Sequence, residues 1–161
     1  RYTQANNVTC PVHTYASVPM TFEKLNLKWS FKRYYWINHY QIENTNIIDA
    51  AVFWKQNGYV PSTMMCLSFQ FKKHLPIGRG GMILTDDKDA YDWLIKARYD
   101  GRDMEVSQWD DDADICGWHM YMTPEDAARG IILMDQVPDD TPDCGGWEQY
   151  SDLSKKKLWK D

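Results

Sequence analysis

Residues 66–87 read CLSFQFKKHLPIGRGGMILTDD, two apolar segments joined by a basic, glycine-rich loop. The apolar segments predict strands over 64–69 and 82–85. Glycine is favoured where the backbone needs positive φ or must approach a ligand, and a lysine with a lowered pKa can act as a nucleophile. The loop, with adjacent Lys72 and Lys73, therefore indicates a site. The alternative is a surface loop with solvated lysines.

The composition is that of a folded domain. The chain has 161 residues, of which 43% are hydrophobic and 14% aromatic, and this argues against disorder. Its net charge of −5 leaves no basic footprint for nucleic acid or for an anionic membrane. The sequence shows no apolar run long enough to span a membrane and no signal-peptide pattern at its start, so we expect a cytoplasmic protein.

Strand and helix patterns alternate along the chain. Further strands are predicted over 8–13 and 46–51. Helices are predicted over 21–27, 31–42, 88–99 and 123–136. This alternation predicts an α/β fold with a mostly parallel sheet flanked by helices. An acid at the carboxyl end of a strand in such a sheet points into the crevice where ligands bind, and Asp49 has that position.

The end of the chain differs in composition from the rest. Proline and glycine mark a linker after residue 137, at Pro138, Pro142, Gly145 and Gly146. A basic terminal helix is predicted to follow, with nothing left to pack against. We therefore divide the chain into a main unit, 1–137, and a linker with a terminal helix, 138–161.

Two groups of residues could carry chemistry. Cys10 and His13, taken together with Cys116 and His119, could form a Cys₂His₂ zinc set. The two pairs are far apart in sequence and lack the close spacing of a zinc finger, so we expect no metal site. The second group is Lys73 with Asp49: a lysine on a strand-end loop, an acid at the end of a neighbouring strand and glycine-rich backbone are what a pyridoxal phosphate site needs.

Short blocks of sequence strengthen the second interpretation. They are PVHTYA (11–16), IDAA (48–51), SFQFKK (68–73), GRGG (78–81), TDD (85–87), GWHMYM (117–122) and AARG (127–130). Because these blocks occur in this order, the chain resembles the DegT/StrS family of pyridoxal-phosphate-dependent sugar-nucleotide aminotransferases. The resemblance covers most of 8–134 and implies the central part of a family member. The implied fold is part of the large domain of a fold type I aminotransferase, over 1–137, with the start of a small domain over 138–161.

The resemblance also implies roles for single residues. Lys73 corresponds to the lysine that forms a Schiff base with pyridoxal 5′-phosphate, because it stands five residues after Ser68 as in the family. Asp49 corresponds to the partner of the pyridine nitrogen, and Ser68 to a phosphate ligand. His119 stands where the family has an Asn that reaches the phosphate in the neighbouring subunit, which implies a homodimer with shared active sites.

The implied reaction is transfer of an amino group from an amino acid such as L-glutamate to a keto-sugar nucleotide, as in polysaccharide biosynthesis. A non-catalytic α/β module for dimerisation or ligand binding, derived from the same family, is the alternative. Val52, Arg79 and Tyr121 stand where the family has Gln, Glu and Arg. Val52, Tyr121 and the parts of the family's fold that the resemblance does not cover motivate this alternative.

Overall fold

The computed structural model describes residues 1–139, 141 and 144–160. Within these residues the chain forms six strands, three α-helices and three short 3₁₀ turns. The strands are β1 (Asn7–Pro11), β2 (Lys28–Lys32), β3 (Tyr40–Gln41), β4 (Ile47–Asp49), β5 (Met64–Ser68) and β6 (Gly81–Leu84). The helices are α1 (Ser17–Lys24), α2 (Lys88–Ala97) and α3 (Pro124–Met134).

The strands form two small sheets. Strands β1 and β2 pair in parallel, and the second sheet has the order β3-β4-β5-β6. Only β4 and β5 are parallel in the second sheet, whereas β3–β4 and β5–β6 are antiparallel. The expectation of a mostly parallel sheet is therefore wrong, and the sheet is mixed. A parallel return would need a crossover, usually a helix, and the segment between β5 and β6 is a loop that brings the chain straight back.

Most of the elements with local signals are confirmed. Strands lie within or next to 8–13, 46–51, 64–69 and 82–85. Helix α2 begins after Asp87, whose carboxylate accepts a hydrogen bond from the Ala90 N–H at 3.0 Å. Helix α3 begins after Thr123, whose hydroxyl accepts one from the Asp126 N–H at 3.3 Å. These caps satisfy N–H groups that have no partner inside the helix.

Two predicted helices in the first third of the chain differ. The helix expected over 31–42 is wrong: the chain completes β2 at Lys32 and reaches β3 at Tyr40. In β2, half-buried Trp29 and Phe31 alternate with exposed residues, the two-residue period of a strand. The helix expected over 21–27 begins earlier, at Ser17, and ends at Lys24, and Thr21 donates a hydrogen bond to the Ser17 carbonyl inside it.

The terminal segment is also different from its prediction. In place of one helix it forms 3₁₀ turns at Trp147–Gln149, Leu153–Lys155 and Lys157–Trp159. It packs on the rest of the molecule, since Trp147 and Tyr150 contact the hydrophobic cluster of β1 and its neighbours. The aromatic residues bury their surface there, which favours packing over a free helix. Pro142 lies outside the described residues, and the division at 137/138 stays a prediction.

The core consists of three hydrophobic clusters. The first lies around Val8, Cys10, Phe22, Trp36, Tyr40 and Val52, the second around Ile48, Ala50 and Met65, and the third around Phe69, Leu75 and Ile77. The third cluster holds the glycine-rich loop against α3. None of the helices in the described part of the chain has the length and apolar character needed to cross a membrane.

Candidate functional site

Strand register places one row of side chains across the second sheet. Tyr40 pairs with Asp49, Asp49 with Cys66, and Cys66 with Ile83. Side chains alternate along a strand, so Ser68 lies on the same face as Cys66. The opposite face carries Met65, Leu67 and Phe69, which line an apolar cavity of about 300 Å³. Asp49 and Ser68 thus lie on the face of the sheet that points away from that cavity.

Asp49 is held from two sides at the end of β4. Its Oδ1 accepts a hydrogen bond from the Ala51 N–H at 3.0 Å, and its Oδ2 accepts one from the Tyr40 hydroxyl at 2.6 Å. The side chain is half-buried. An ionised carboxylate can accept about four hydrogen bonds, so each oxygen keeps room for another donor. The acid can therefore still pair with a protonated nitrogen.

The two adjacent lysines have different environments. Lys73 is half-buried and Lys72 is exposed, with its Nζ 5.7 Å from the centre of the Phe71 ring. Burial lowers the pKa of Lys73, and the charge of Asp49 acts in the opposite direction. The two effects have opposite signs, and burial is the larger of them. A lysine with a lowered pKa is more often the neutral amine that nucleophilic chemistry requires.

The loop between β5 and β6 is anchored at both ends. The Phe69 N–H donates to the Gly80 carbonyl at 2.9 Å, and the Gly78 N–H donates to the Phe69 carbonyl at 2.9 Å. Gly78 and Gly80 have φ values of 129° and 87°, in the region that favours glycine. Buried Ile77 reaches α3 at Gly130, where a Cβ atom would lie 2.6 Å from its Cδ1. The backbone that carries Lys73 is therefore fixed against the helix.

Ser68 ends β5 on the same face as Asp49. It pairs with Gly81 across β5 and β6, and its Oγ accepts a hydrogen bond from the Gln70 N–H at 3.4 Å. The hydroxyl proton can be donated to another oxygen. Lys73, Asp49 and Ser68 supply the amine, the acceptor and the donor that a cofactor with an aldehyde, a pyridine nitrogen and a phosphate requires. Asp49 and Ser68 lie on one face of the sheet, and Lys73 lies on the loop that follows Ser68.

His119 lies elsewhere. It is exposed on the loop after α2, with its Nδ1 2.8 Å from Asp100 Oδ2 and its ring 4.6 Å from that of Tyr121. The structure therefore does not bring His119 together with Lys73, Asp49 and Ser68 within one chain. Its expected role involves a neighbouring subunit and stays a prediction.

The zinc alternative finds no support in the described residues. His13 has its Nδ1 2.9 Å from the Tyr150 carbonyl oxygen, and His119 is engaged with Asp100. Cys10 is buried, and this burial raises its pKa to about 12, which disfavours the thiolate that a metal needs. Across residues 1–139, 141 and 144–160, no three His, Cys, Asp or Glu side chains group as a metal site would require.

The departures from the family pattern have structural partners of their own. Val52 is buried in the first hydrophobic cluster. Arg79 lies on the glycine-rich loop with its Nε 3.6 Å from Asp126 Oδ2 on α3. The ring of Tyr121 packs 4.7 Å from that of Tyr99. Each substitution is thus accommodated by a local contact.

Sequence reasoning missed Tyr40 and Thr14. Buried Tyr40 contacts Asp49 directly, and the buried Thr14 hydroxyl lies 2.6 Å from the Tyr40 hydroxyl. The signal in the sequence was Asn44 in the short connection between β3 and β4, since asparagine tolerates positive φ and Asn44 has a φ of 63°. The segment 31–42 is dense in aromatic residues and has no clean period, and its interpretation as a helix left the pairing of Tyr40 with Asp49 unpredicted.

Comparison with known proteins gives a family and a fold. The family model described as "DegT/DnrJ/EryC1/StrS aminotransferase family" matches residues 55–141, just over half of the chain. The crystal structure of AtS13 from Actinomadura melliaura superimposes with a TM-score of 0.70 at 17% identity, over 82% of this chain and 49% of that chain. At this identity the likeness concerns the fold alone, and the chain spans about half the length of AtS13. No curated protein matches the sequence.

Proposed function

The chain belongs to the DegT/DnrJ/EryC1/StrS aminotransferase family, and we propose that it binds pyridoxal 5′-phosphate and transfers an amino group from an amino acid to a keto-sugar nucleotide. One observation carries the proposal: strand register puts Asp49 at the end of β4 on the same face as Ser68 at the end of β5, and half-buried Lys73 lies on the loop that follows Ser68. L-Glutamate is the proposed donor. A cytoplasmic location stays a prediction.

Lys73 is the proposed catalytic residue. When bound, pyridoxal phosphate supplies an aldehyde that carries the amino group and a ring that withdraws electrons. Burial of Lys73 favours the neutral amine, so its Nζ can accept a proton from the Cα of the donor and later return one to the sugar carbon. The anchored loop fixes the backbone from which the Lys73 side chain extends.

Asp49 and Ser68 are the proposed cofactor ligands. The Asp49 carboxylate would hold a proton at the pyridine nitrogen, since an anion close by favours the protonated form. The Ser68 hydroxyl would donate a hydrogen bond to the phosphate. The shared face of β4 and β5 supports both assignments, because it puts the Asp49 and Ser68 side chains on the same side of the sheet.

A homodimer with shared sites completes the proposal. The His119 side chain is 69% exposed and contacts the exposed Asp100 and the ring of Tyr121, so it is accessible to a second copy. Sedimentation velocity of the wild type and of His119→Ala gives the oligomeric state, and cofactor titration gives the affinity of each. A dimer whose cofactor affinity falls in His119→Ala supports shared sites, and a monomer at all concentrations contradicts them.

Titration with pyridoxal phosphate tests the cofactor assignment. We expect the wild type and Lys72→Ala to develop a visible absorption band and Lys73→Ala to lose it. The matched pair separates one nucleophile from general attraction by lysines, because the two residues are adjacent. If the wild type gives no band, catalysis by this chain is refuted and the non-catalytic module is the better description.

A further inference from the structure

Three buried or half-buried side chains form a chain of short hydrogen bonds behind the proposed site. The Thr14 and Tyr40 hydroxyl oxygens are 2.6 Å apart, and the Tyr40 hydroxyl donates to Asp49 Oδ2 at 2.6 Å. Thr14 and Tyr40 are 1% and 5% exposed, so water does not compete for these groups. Thr14 comes from the segment after β1, whereas Tyr40 and Asp49 face each other on β3 and β4.

The number of available protons sets which hydroxyl donates in each of these two hydrogen bonds. A tyrosine hydroxyl has one proton, and an ionised carboxylate can only accept, so the Tyr40 proton is used at Asp49. The Thr14 hydroxyl must then donate to the Tyr40 oxygen. Burial raises the pKa of Tyr40, and the neighbouring Asp49 adds to the rise, so the phenol stays protonated and remains a donor. Donors aligned in this way polarise one another and strengthen the last bond.

The geometry restricts the Asp49 carboxylate. With Oδ1 bound to the Ala51 N–H and Oδ2 bound to Tyr40, the group cannot rotate without breaking a hydrogen bond. Its unused lone pairs therefore keep one direction. A carboxylate that must pair with a single ring nitrogen benefits from such preorganisation, because the cost of ordering it is met before the ligand arrives.

We propose that Tyr40, supported by Thr14, is a positioning residue that orients the Asp49 carboxylate for the pyridine nitrogen of the cofactor. This inference rests on the proposed function, and it adds two residues that come from outside the glycine-rich loop. Tyr40 does not touch the reacting atoms, and it acts only through Asp49.

A double-mutant cycle on cofactor affinity tests the inference. Loss of a hydrogen bond to a charged group predicts that Tyr40→Phe raises the Kd for pyridoxal phosphate about tenfold. The same substitution in an Asp49→Ala background should change Kd less than about twofold, because the residue through which Tyr40 acts is gone. A purely structural role of Tyr40 would weaken binding equally in both backgrounds and would overturn the proposal.

Two further variants make the result specific. Thr14→Val should weaken binding in the same direction by a smaller factor, and Thr14→Ser should restore the wild-type affinity because it keeps the hydroxyl. Tyr34→Phe is the matched control: Tyr34 is another tyrosine of the first cluster, but its hydroxyl donates to the Gln41 carbonyl at 3.5 Å. Equal losses in Tyr34→Phe and Tyr40→Phe would contradict the assignment.

The outcomes separate this inference from the proposed function. If the wild type does not bind pyridoxal phosphate, the proposed function fails and this inference fails with it. If the wild type binds and Tyr40→Phe binds equally well, only the positioning role is overturned. Thermal unfolding of each variant shows whether it is folded. If Tyr40→Phe does not fold, the comparison of Thr14→Val with Thr14→Ser tests the positioning role instead.

Discussion

The backbone of Gly81 packs against Leu67 so closely that a Cβ atom at position 81 would lie 2.3 Å from the Leu67 carbonyl oxygen. This contact lies where the glycine-rich loop re-enters the sheet, since Gly81 begins β6 and pairs with Ser68 at the end of β5. The obstructing atom belongs to the backbone and cannot rotate away. A glycine is therefore required here for steric reasons.

We predict that Gly81→Ala destabilises the protein by about 2 kcal/mol, because the strand or the loop must shift to make room. Urea unfolding measures the change. Ser30→Ala, at an exposed position of β2, is the control and should change the free energy of unfolding by less than about 0.5 kcal/mol. Equal stability of Gly81→Ala and the wild type would show that β6 does not approach β5 as described.

The lowered pKa of Lys73 predicts a pH-dependent stability. Burial depresses the pKa of the folded state below the ordinary value of 10.5, so the cost of burying the charge is fully present at lower pH. Between the depressed value and 10.5 the unfolded chain binds more protons than the folded one, and stability rises with pH. The wild type should therefore gain stability relative to Lys73→Met as the pH rises toward 10.5.

Urea unfolding of both proteins over a pH series measures this difference. Lys72→Met provides the baseline for removing a lysine from the exposed part of the same loop. A wild-type curve that falls relative to Lys73→Met across the alkaline range would contradict the burial of the Lys73 amine.

The lowered pKa of Asp152 predicts a pH-dependent stability of the same sign in the acidic range. Hydrogen bonds from Ser154 and from Arg33, at 2.6 Å each, lower the pKa of Asp152 from 3.8 to about 2. The stabilisation is present above the ordinary value and is lost as the pH falls through the depressed one. Asp152→Asn should therefore be less stable than the wild type at neutral pH, and the difference should shrink between pH 3.8 and about 2.

Thermal unfolding in a series of acidic buffers checks this prediction. Asp112→Asn, in the exposed acidic loop, serves as the control for removing one negative charge. A constant difference between Asp152→Asn and the wild type at all pH values would mean that the Arg33 and Ser154 contacts do not stabilise the ionised form.

Two tryptophans test the packing of the terminal segment. The Trp147 ring lies 4.3 Å from that of Tyr35 and 5.4 Å from that of His13, so Trp147→Ala should cost about 2 kcal/mol, less than for a fully buried tryptophan. Trp109 is 95% exposed, and Trp109→Ala should stay within about 0.5 kcal/mol of the wild type. Urea unfolding compares them, and equal effects would refute the packing of 147–150 on the core.

Local signals were enough for a large part of the fold. The strands on either side of the glycine-rich loop, and helices α2 and α3 with their caps at Asp87 and Thr123, follow from patterns within a few residues. The same is true of the family assignment, which the family model confirms. Such features depend on the side chain and its sequence neighbours, so they can be read without knowing what packs against them.

Contacts between distant segments could not be obtained in this way. Three such contacts join residues whose spacing in the sequence follows no period. They are the antiparallel pairing of β6 with β5, the pairing of Tyr40 with Asp49, and the packing of Trp147 beside His13. Aromatic residues of 31–42 suit a helix or a strand, and only the partner surface decides between them.

The loop of Lys73 shows both contributions. The sequence by itself determined that a lysine, three glycines and a strand-end acid lie in segments that could form a site, because composition and spacing carry that chemistry. Only the tertiary structure decided that Lys73 rather than Lys72 is half-buried, and that the Tyr40 hydroxyl donates a hydrogen bond to Asp49. Burial and hydrogen-bond partners are properties of the folded surface, to which β1, β3 and α3 all contribute.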